Sequence, residues 1–303
     1  MDDRTLRYIA AIARYQNLTK AAEALYVGQP TLSKCLASVE ERLGLKLFRR
    51  VGHRYLPTYA GERFIERAGE ILRLADGLEG EMSDILNRNV GELNVAFAHM
   101  RCAYMLPLAL PRFQQQFPNV KVNLYEGSSD QNDRRLLEGE VEVAFYTRPS
   151  VTDPRLQYET LAQEELLICA AHGHPLSRHA HEIPGGQHRG LDLALLKDEL
   201  VLMMRPEQRT RQIVDGILRE RQLRFDRVLV TSNIQAIIGL VAAGFGVSFV
   251  FDSHLKHRAD SQPIDCYSFG RPRTVHDFVA ATRKGAYLSR YGQAFIDIVR
   301  ECV

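Results

Sequence analysis

The 303-residue sequence contains no tryptophan, and its five cysteines (Cys35, Cys102, Cys169, Cys266, Cys302) form no CxxC pair. An odd, widely spaced set excludes a zinc ribbon and argues against the disulfide framework of a small secreted domain. No window approaches about 18 uninterrupted apolar residues. The opening MDDRTLRYIA has no apolar core of signal-peptide length, so the expectation is a cytoplasmic protein with no membrane partner. A GxxxxGK[ST] phosphate loop and a GxSxG nucleophile elbow are both missing. Gly244-x-Gly246 sits after a helical pattern and before a strand, the reverse of a dinucleotide fingerprint. Five histidines (His172, His174, His179, His181, His188) crowd together, but their spacing fits neither HExxH nor a zinc finger. The expectation is therefore no catalytic residue, no cofactor and no metal.

An excess of either charge is missing too: Lys plus Arg is 39, Asp plus Glu is 37, and the net charge is +2. The total hides a segregation. Residues 1–58 hold ten basic and five acidic side chains, while the rest hold 29 basic and 32 acidic. A small head of +5 on a body of −3 points to a polyanion as the partner of the head. With 45% apolar and 25% charged residues, and a length beyond one typical domain, the chain reads as globular and multidomain.

In the head, Leu6, Ile9, Ala10 and Ala13 recur at helical spacing up to about Asn17. Thr19 then stands where an N-cap belongs, and Ala21, Ala22 and Leu25 form the inner face of a second helix. Tyr26-Val27-Gly28 breaks it, and Gln29-Pro30-Thr31 opens a third, because proline is tolerated in a first helical turn. The inner face of the third is Leu32, Leu36, Val39 and Leu43. Small alanines let two helices cross closely over a short turn, the geometry of a helix-turn-helix. Gln29, Thr31, Ser33, Lys34 and Ser38 then point outward, able to reach base edges or phosphates. LGLKLFRRVGHRYLPT follows as a basic hairpin, or wing. The competing reading of the head is a small helical bundle with a solvated charged face.

From 58 to 87 there is no proline, and Phe64, Ala68, Ile71, Ala75, Leu78, Met82 and Ile85 follow heptad spacing. A helix of this length reaches roughly 45 Å. It cannot bury that seam on a small head, so a partner helix is expected; the alternative is an ordinary amphipathic core helix. Beyond it the pattern alternates. Strands are expected at 93–98, 120–125, 141–146, 165–171, 200–204, 227–230 and 247–251. Helices are expected at 105–117, beginning at Leu106-Pro107, and at 130–137, 208–221 and 234–243. Such alternation implies a parallel sheet covered on both faces, long enough for two lobes.

The run LTKAAEALYVGQPTLSKCLASVEERLGLKLFRR resembles the N-terminal signature of LysR-type transcriptional regulators. The resemblance implies an α/β protein with a winged helix-turn-helix at 1–58 and a dimerising linker helix at 59–88, paired through Ala68, Ile71, Ala75, Leu78, Met82 and Ile85. It places a two-lobed effector-binding domain, built like a periplasmic solute-binding protein, at 89–303: lobe I at 89–162 and 267–303, lobe II at 163–266. The family lays its third helix in the major groove, which matches Gln29, Pro30, Thr31, Ser33 and Lys34; Arg50 and Arg54 match the wing. Gly28 stands where the family has serine, removing a hydroxyl, and Cys35 replaces a longer polar residue. GELNVAFAHMRCAYMLP, FPNVKVNLYEG and TSNIQAIIGLVAAGFGVSFV fall where the family has matching segments. The implied partners are double-stranded promoter or operator DNA, a small-molecule effector, further copies as homodimer or homotetramer, and RNA polymerase.

Ligands of parallel α/β sheets bind at the carboxyl ends of strands, near helix N-termini. That rule marks Met100, Arg101 and Cys102, then Ser128 and Ser129, then Thr147 and Arg148, and in the second lobe Met204, Arg205 and Asn233. The family commonly has Ser or Thr at the position of Met100. Arg101, Arg148 and Arg205 favour an anionic, partly apolar effector such as a carboxylate. In the plainer alternative the serines cap a helix and the arginines are solvated. Cys102 falls in a ligand loop, but sensing needs a lowered pKa and a resolving partner. The family's peroxide-sensing branch carries a cysteine pair in the second lobe, where this sequence has Cys169 and Cys266; that role is not assigned here. The competing class is an enzyme or solute-binding module fused to a DNA-binding head. It lacks, respectively, a catalytic constellation and a signal peptide.

Overall fold

The computed structural model describes residues 1–85, 90–256, 262–270 and 273–303, with backbone only for 83–85. Two units separate, Met1–Asn87 and Arg88–Val303. The first contains α1 (Asp3–Tyr15), α2 (Leu18–Ala24), α3 (Gln29–Leu43), a hairpin of β1 (Phe48–Val51) and β2 (Arg54–Pro57), and α4 (Tyr59–Ile85). Asp2 caps α1 by accepting from the Thr5 amide. The cap of α2 is Asn17 and not the expected Thr19: its Oδ1 accepts from Thr19 and Lys20 amides at 2.9 and 3.1 Å. Thr19 lies inside the first turn, so its own amide is one of those that need capping.

Leu32, Leu36 and Val39 pack with Ile9, Ile12, Ala21 and Ala22 in the core of this unit. Leu43 is exposed, because Gly44 at φ 65° ends the helix there and turns the chain away. The inner place falls instead to Glu40, 7% exposed. Its Oε1 accepts from the Leu47 and Phe48 amides at 2.9 and 3.3 Å, and Oε2 from Lys46 Nζ at 2.7 Å. This carboxylate fastens α3 to the hairpin. Helix α4 can begin where it does because Gly61 has no side chain: a Cβ there would lie 1.9 Å from the Leu47 carbonyl oxygen.

The second unit runs β3 (Gly91–Ala98), α5 (His99–Gln116), β4 (Val120–Gly127), α6 (Ser129–Glu138), β5 (Val143–Thr147), β6 (Leu156–Ala171), β7 (Arg189–Gly190), β8 (Val201–Met204), α7 (Arg209–Glu220), β9 (Val228–Thr231), α8 (Ile234–Ala242), β10 (Val247–Phe251), α9 (Asp252–Lys256), β11 (Ile264–Ser268), β12 (Val275–Arg283) and α10 (Arg290–Glu301). The strand order is β4-β3-β5-β12-β6-β10-β8-β9, with β11 on β6 and β7 on β11. The sheet is mixed, not wholly parallel as expected. β3, β4 and β5 are parallel, as are β8, β9 and β10, but β12 and β6 run antiparallel through the middle. The first half of β6 pairs with β12 and its second half with β10 and β11, so one strand serves both halves of the unit.

Alternate residues face opposite layers, as the pleat requires. Phe97, Phe145 and Phe278 meet α5 and α10, while Ala96, Tyr146 and Val279 meet α6. In the other half, Ile168, Met203 and Phe249 face α7, and Leu167, Cys169 and Val250 face α8. Helix α5 begins at His99, not at Leu106, and carries Pro107 and Pro111 in its interior. Each proline removes one intrahelical donor. The buried row Met105, Ala109 and Phe113 holds the helix regardless.

Candidate functional site

The head presents one polar face. Gln29, Pro30, Thr31, Ser33 and Lys34 are all exposed on α3, and Gly28 caps it with no side-chain bond. Arg50 and Arg54 are exposed on the hairpin; Arg50 Nε donates to the Gly52 carbonyl at 2.9 Å, and the Arg54 guanidinium donates to the Gln16 side chain. Tyr26, in the turn before α3, is 97% exposed with φ 53°. Sequence reasoning did not single it out, since a break signal says nothing about side-chain exposure.

Helix α4 divides its apolar residues. Ala68 and Leu72 turn inward onto Leu6 of α1. Ile71, Leu74, Leu78 and Met82 stay exposed, Leu74 by 73%. The expected seam is therefore split: Ala68 belongs to the head's own core and Leu74 joins the outward row. Ala75 is half-buried, and the Ile85 side chain lies outside the described residues.

In the second unit, strand ends and helix starts enclose a cavity of about 30 Å³ lined by Ala98, His99, Met100, Arg101, Gly127, Ser128, Ser129, Thr147, Gln208, Arg209 and Thr210. That is roughly the room of one water molecule. Two of the three helices that begin here have no side-chain cap: α5, whose N-cap is Ala98, and α7, whose N-cap is Gln208. Their first amides carry the positive end of the helix dipole. The third, α6, is closed by a capping box in which Ser128 and Gln131 satisfy each other. Thr210 is 2% exposed and its Oγ1 has no partner; Arg209 Nε and Asn132 Nδ2 are likewise buried without one. Arg209 Nη2 reaches Asp130 Oδ1 at 3.0 Å, joining α7 to α6 across the cavity mouth.

Five of the ten expected effector residues line this cavity: Met100, Arg101, Ser128, Ser129 and Thr147. The others do not. Arg101, although in the lining, is spent: 2% exposed, it bonds Glu164 through both terminal nitrogens at 2.6 and 2.5 Å, plus Tyr104 and Thr147. Its guanidinium stacks 3.9 Å from the Phe278 ring centroid. Burial opposes its charge, but the Glu164 carboxylate more than offsets that and raises the pKa. Burial likewise works against Glu164, whose pKa nonetheless falls below the ordinary value beside Arg101. Behind the pair His254 is fully buried, and desolvation, then Arg101, depresses its pKa to about 3. Arg148 faces Asp277 at 3.5 Å. Arg205 is exposed, its amide donating to Gln208 Oε1 at 3.2 Å. Met204 is buried in the α8 layer, and the Asn233 side chain caps α8. The Cys102 thiol is pushed up to about 12 by burial and then by Glu126, the opposite of what a sensor thiol needs. Gln208, Arg209 and Thr210 were missed, although a helix start after a strand was legible there.

Residues 4–62 match the bacterial regulatory helix-turn-helix protein of the lysR family, and residues 87–302 match the LysR substrate binding domain. The chain is 28% identical over 311 residues to the Uncharacterized HTH-type transcriptional regulator YcgK of Bacillus subtilis, spanning 99% of this chain and 94% of that one. It is 28% identical over 252 residues to the HTH-type transcriptional regulator BenM of Acinetobacter baylyi, spanning 82% and 80% of the two chains. Among solved structures, full-length CbnR complexed with its target DNA is similar at 26% identity and TM-score 0.58, with 100% of both chains covered. Full-length OxyR from Pseudomonas aeruginosa shares the fold at TM-score 0.76 and 23% identity, with 99% and 95% covered. Among the described residues no helix is long and apolar enough to cross a membrane. With both family segments matched, over residues 4–62 and 87–302, and the helix-turn-helix in place, the chain belongs to the LysR family of transcriptional regulators.

Proposed function

We propose that this regulator, working in the cytoplasm, binds operator DNA as two copies joined along α4 and that a small carboxylate in the cleft controls it. The working division is a head at 1–58, a linker helix at 59–88 and an effector body at 89–303 with lobe I at 89–162 and 267–303 and lobe II at 163–266. Gln29, Thr31, Ser33 and Lys34 would meet the major groove, and Arg50 and Arg54 the flanking backbone. Ile71, Leu74, Leu78 and Met82 would meet the same row of the second copy. Assembly into tetramers and contact with RNA polymerase follow from the family resemblance alone.

The observation that carries the effector reading is the convergence of two uncapped helix N-termini with Thr210 Oγ1 and Arg209 on one cavity. Amides aimed along a helix axis accept an anion without a dedicated cationic side chain. The positive group is Arg209, in place of Arg101, Arg148 and Arg205. A carboxylate entering from solvent would compete with Asp130 for Arg209 and accept from α5 on one side and α7 on the other. The spacing or angle of the heads changes only by as much as the anion binds one arrangement better than the other.

Thermal shift of the full chain against short mono- and dicarboxylates, with the matching amides as controls, tests this. A carboxylate at a hundred times its Kd stabilises by about 2.7 kcal/mol. Thr210→Val and Arg209→Met should weaken or remove the shift. Stabilisation by the amides alone, or an unchanged shift in Arg209→Met, sinks the reading. For the head, operator affinity should fall steeply with the logarithm of salt concentration.

A further inference from the structure

We propose that the second unit carries a further binding site, outside the cleft, for an organic anion with an apolar body, such as a medium-chain carboxylate. A cavity of about 820 Å³ opens between the 181–192 segment, the end of β11 and the end of α7, and it shares no lining residue with the cleft. Sites for small organic molecules enclose about 300–1,000 Å³ and are mostly apolar, with a few placed polar groups. The apolar wall here is Ile183, Pro184, Leu191 and Phe269; Leu191 and Phe269 belong to the core layer that faces α7. Arg221 and Arg273, both exposed, stand at its mouth.

The backbone fixes the arch that shapes this cavity. His181 and Gly190 exchange amide-to-carbonyl bonds at 2.9 and 2.7 Å, and the Leu191 amide donates to the Ser268 carbonyl at 2.9 Å. Within the arch Ile183-Pro184-Gly185-Gly186 turns tightly, with Gly185 at φ 71° and the Gly186 amide donating to the Ile183 carbonyl at 2.9 Å. Gly190 must lack a side chain, since a Cβ would lie 2.6 Å from His181 Nε2. A wall pinned in this way is formed before a ligand arrives, so little ordering opposes binding. Charge then selects an anion. Two carboxylates also line the cavity, but both are engaged: Asp192 Oδ1 accepts from the Ala194 amide at 3.0 Å, and Glu182 Oε1 lies 3.6 Å from Arg189 Nε. The Arg221 side chain has no partner among the described residues, and Arg273 has only a long contact to Glu165 at 3.4 Å. A carboxylate there gains charge-assisted hydrogen bonds while its apolar body covers Ile183 and Pro184.

The test uses 8-anilinonaphthalene-1-sulfonate, an aromatic body bearing one sulfonate, titrated into the full chain by fluorescence with octanoate and octanol as competitors. The expected result is saturable binding that octanoate reverses and octanol at the same concentration does not. Arg221→Glu should weaken the probe and octanoate about tenfold or more and leave the fold intact, because that side chain holds nothing in the fold. Pro184→Asp puts a charge on the apolar wall and should weaken both as well. Arg209→Met, which alters the cleft alone, should leave both affinities as they are. Unchanged affinity in either Arg221→Glu or Pro184→Asp would overturn the proposal, as would equal displacement by octanol. Binding lost in Arg209→Met but kept in Arg221→Glu would overturn it too, and would assign the anion to the cleft.

Discussion

Removing one charge from the buried Arg101–Glu164 pair should destabilise the second unit rather than retune its ligand. Glu164→Gln leaves a guanidinium, 2% exposed, with no anionic partner, only neutral oxygens of the glutamine amide, Tyr104 and Thr147 and the Phe278 ring, and turns an amide NH2 toward it. Stranding one member of a buried pair costs about 3–5 kcal/mol. Native domains hold about 5–15 kcal/mol in total. At about 2–4 °C per kcal/mol for a unit of this size, the thermal midpoint should fall by roughly 6–20 °C. Arg101→Met should cost a similar amount, because it strands Glu164. Arg101→Met with Glu164→Leu removes both charges, and should recover to within about 1–2 kcal/mol of the parent. The measurement is urea unfolding of the full chain followed by far-ultraviolet circular dichroism, since the sequence has no tryptophan to report. A double-mutant cycle extracts the coupling. Either single change costing under about 1 kcal/mol, or a double change costing the sum of the two, would refute the reasoning.

Glu40→Ala should strip the Leu47 and Phe48 amides of their buried acceptor and destabilise the head by about 2–4 kcal/mol; operator affinity and head unfolding should fall together. The folded pKa of His254, about 3, lies below its ordinary 6.5. The unfolded chain therefore takes up a proton that the folded chain refuses. Stability of the second unit should drop as pH falls from 6.5 toward 3, by about 1.4 kcal/mol per pH unit. Glu164, with a lowered pKa, adds to that loss and Asp252, raised by burial, opposes it, so the parent-minus-His254→Phe difference in urea titrations isolates the histidine. Asp130→Asn should free Arg209 for a carboxylate; the pair is half-exposed and worth no more than about 1 kcal/mol, so calorimetry should show affinity rising by at most about fivefold.

Periodic signals carried far in this sequence. The α3 face of Leu32, Leu36 and Val39, the turn at Gly28-Gln29-Pro30, the hairpin and the alternating strands were all legible, because burial of one face leaves a period in the chain. Signals that depend on partners were not. Glu40 reads as one more charge on a helix until the hairpin supplies two amides. Arg101 reads as a ligand arginine until Glu164, distant in sequence, arrives beside it. Leu106-Pro107 suggested a helix start where packing overrode it, which turned His99–Cys102 from loop into helix. β12, central and antiparallel, reads VHDFVAATR, whose apolar run is only the four residues Phe278–Ala281 between polar ends, too short to announce a strand. Arg209 and Thr210 escaped notice because an uncapped helix start is visible only as the lack of a capping residue.

Strand β6 has a mechanical meaning. Its pairing with β12 skips Leu161, since Ala162 faces Phe278 and Thr160 faces Val279. An unpaired residue of this kind lets a strand bend locally without losing its ladder. From Leu161 to Ala171 the strand makes an arm of roughly 33 Å. A bend of about 5° at its foot sweeps the far end by about 3 Å, on the same arm length. Neither half can slide, because each is sewn to the same spar, but each can swing. The start of α7 lies level with Leu166, only about 16 Å from the bulge, where the same bend moves the chain by about 1.4 Å. Taken along the Arg209–Asp130 bond, that shift would stretch it from 3.0 Å to beyond hydrogen-bond reach.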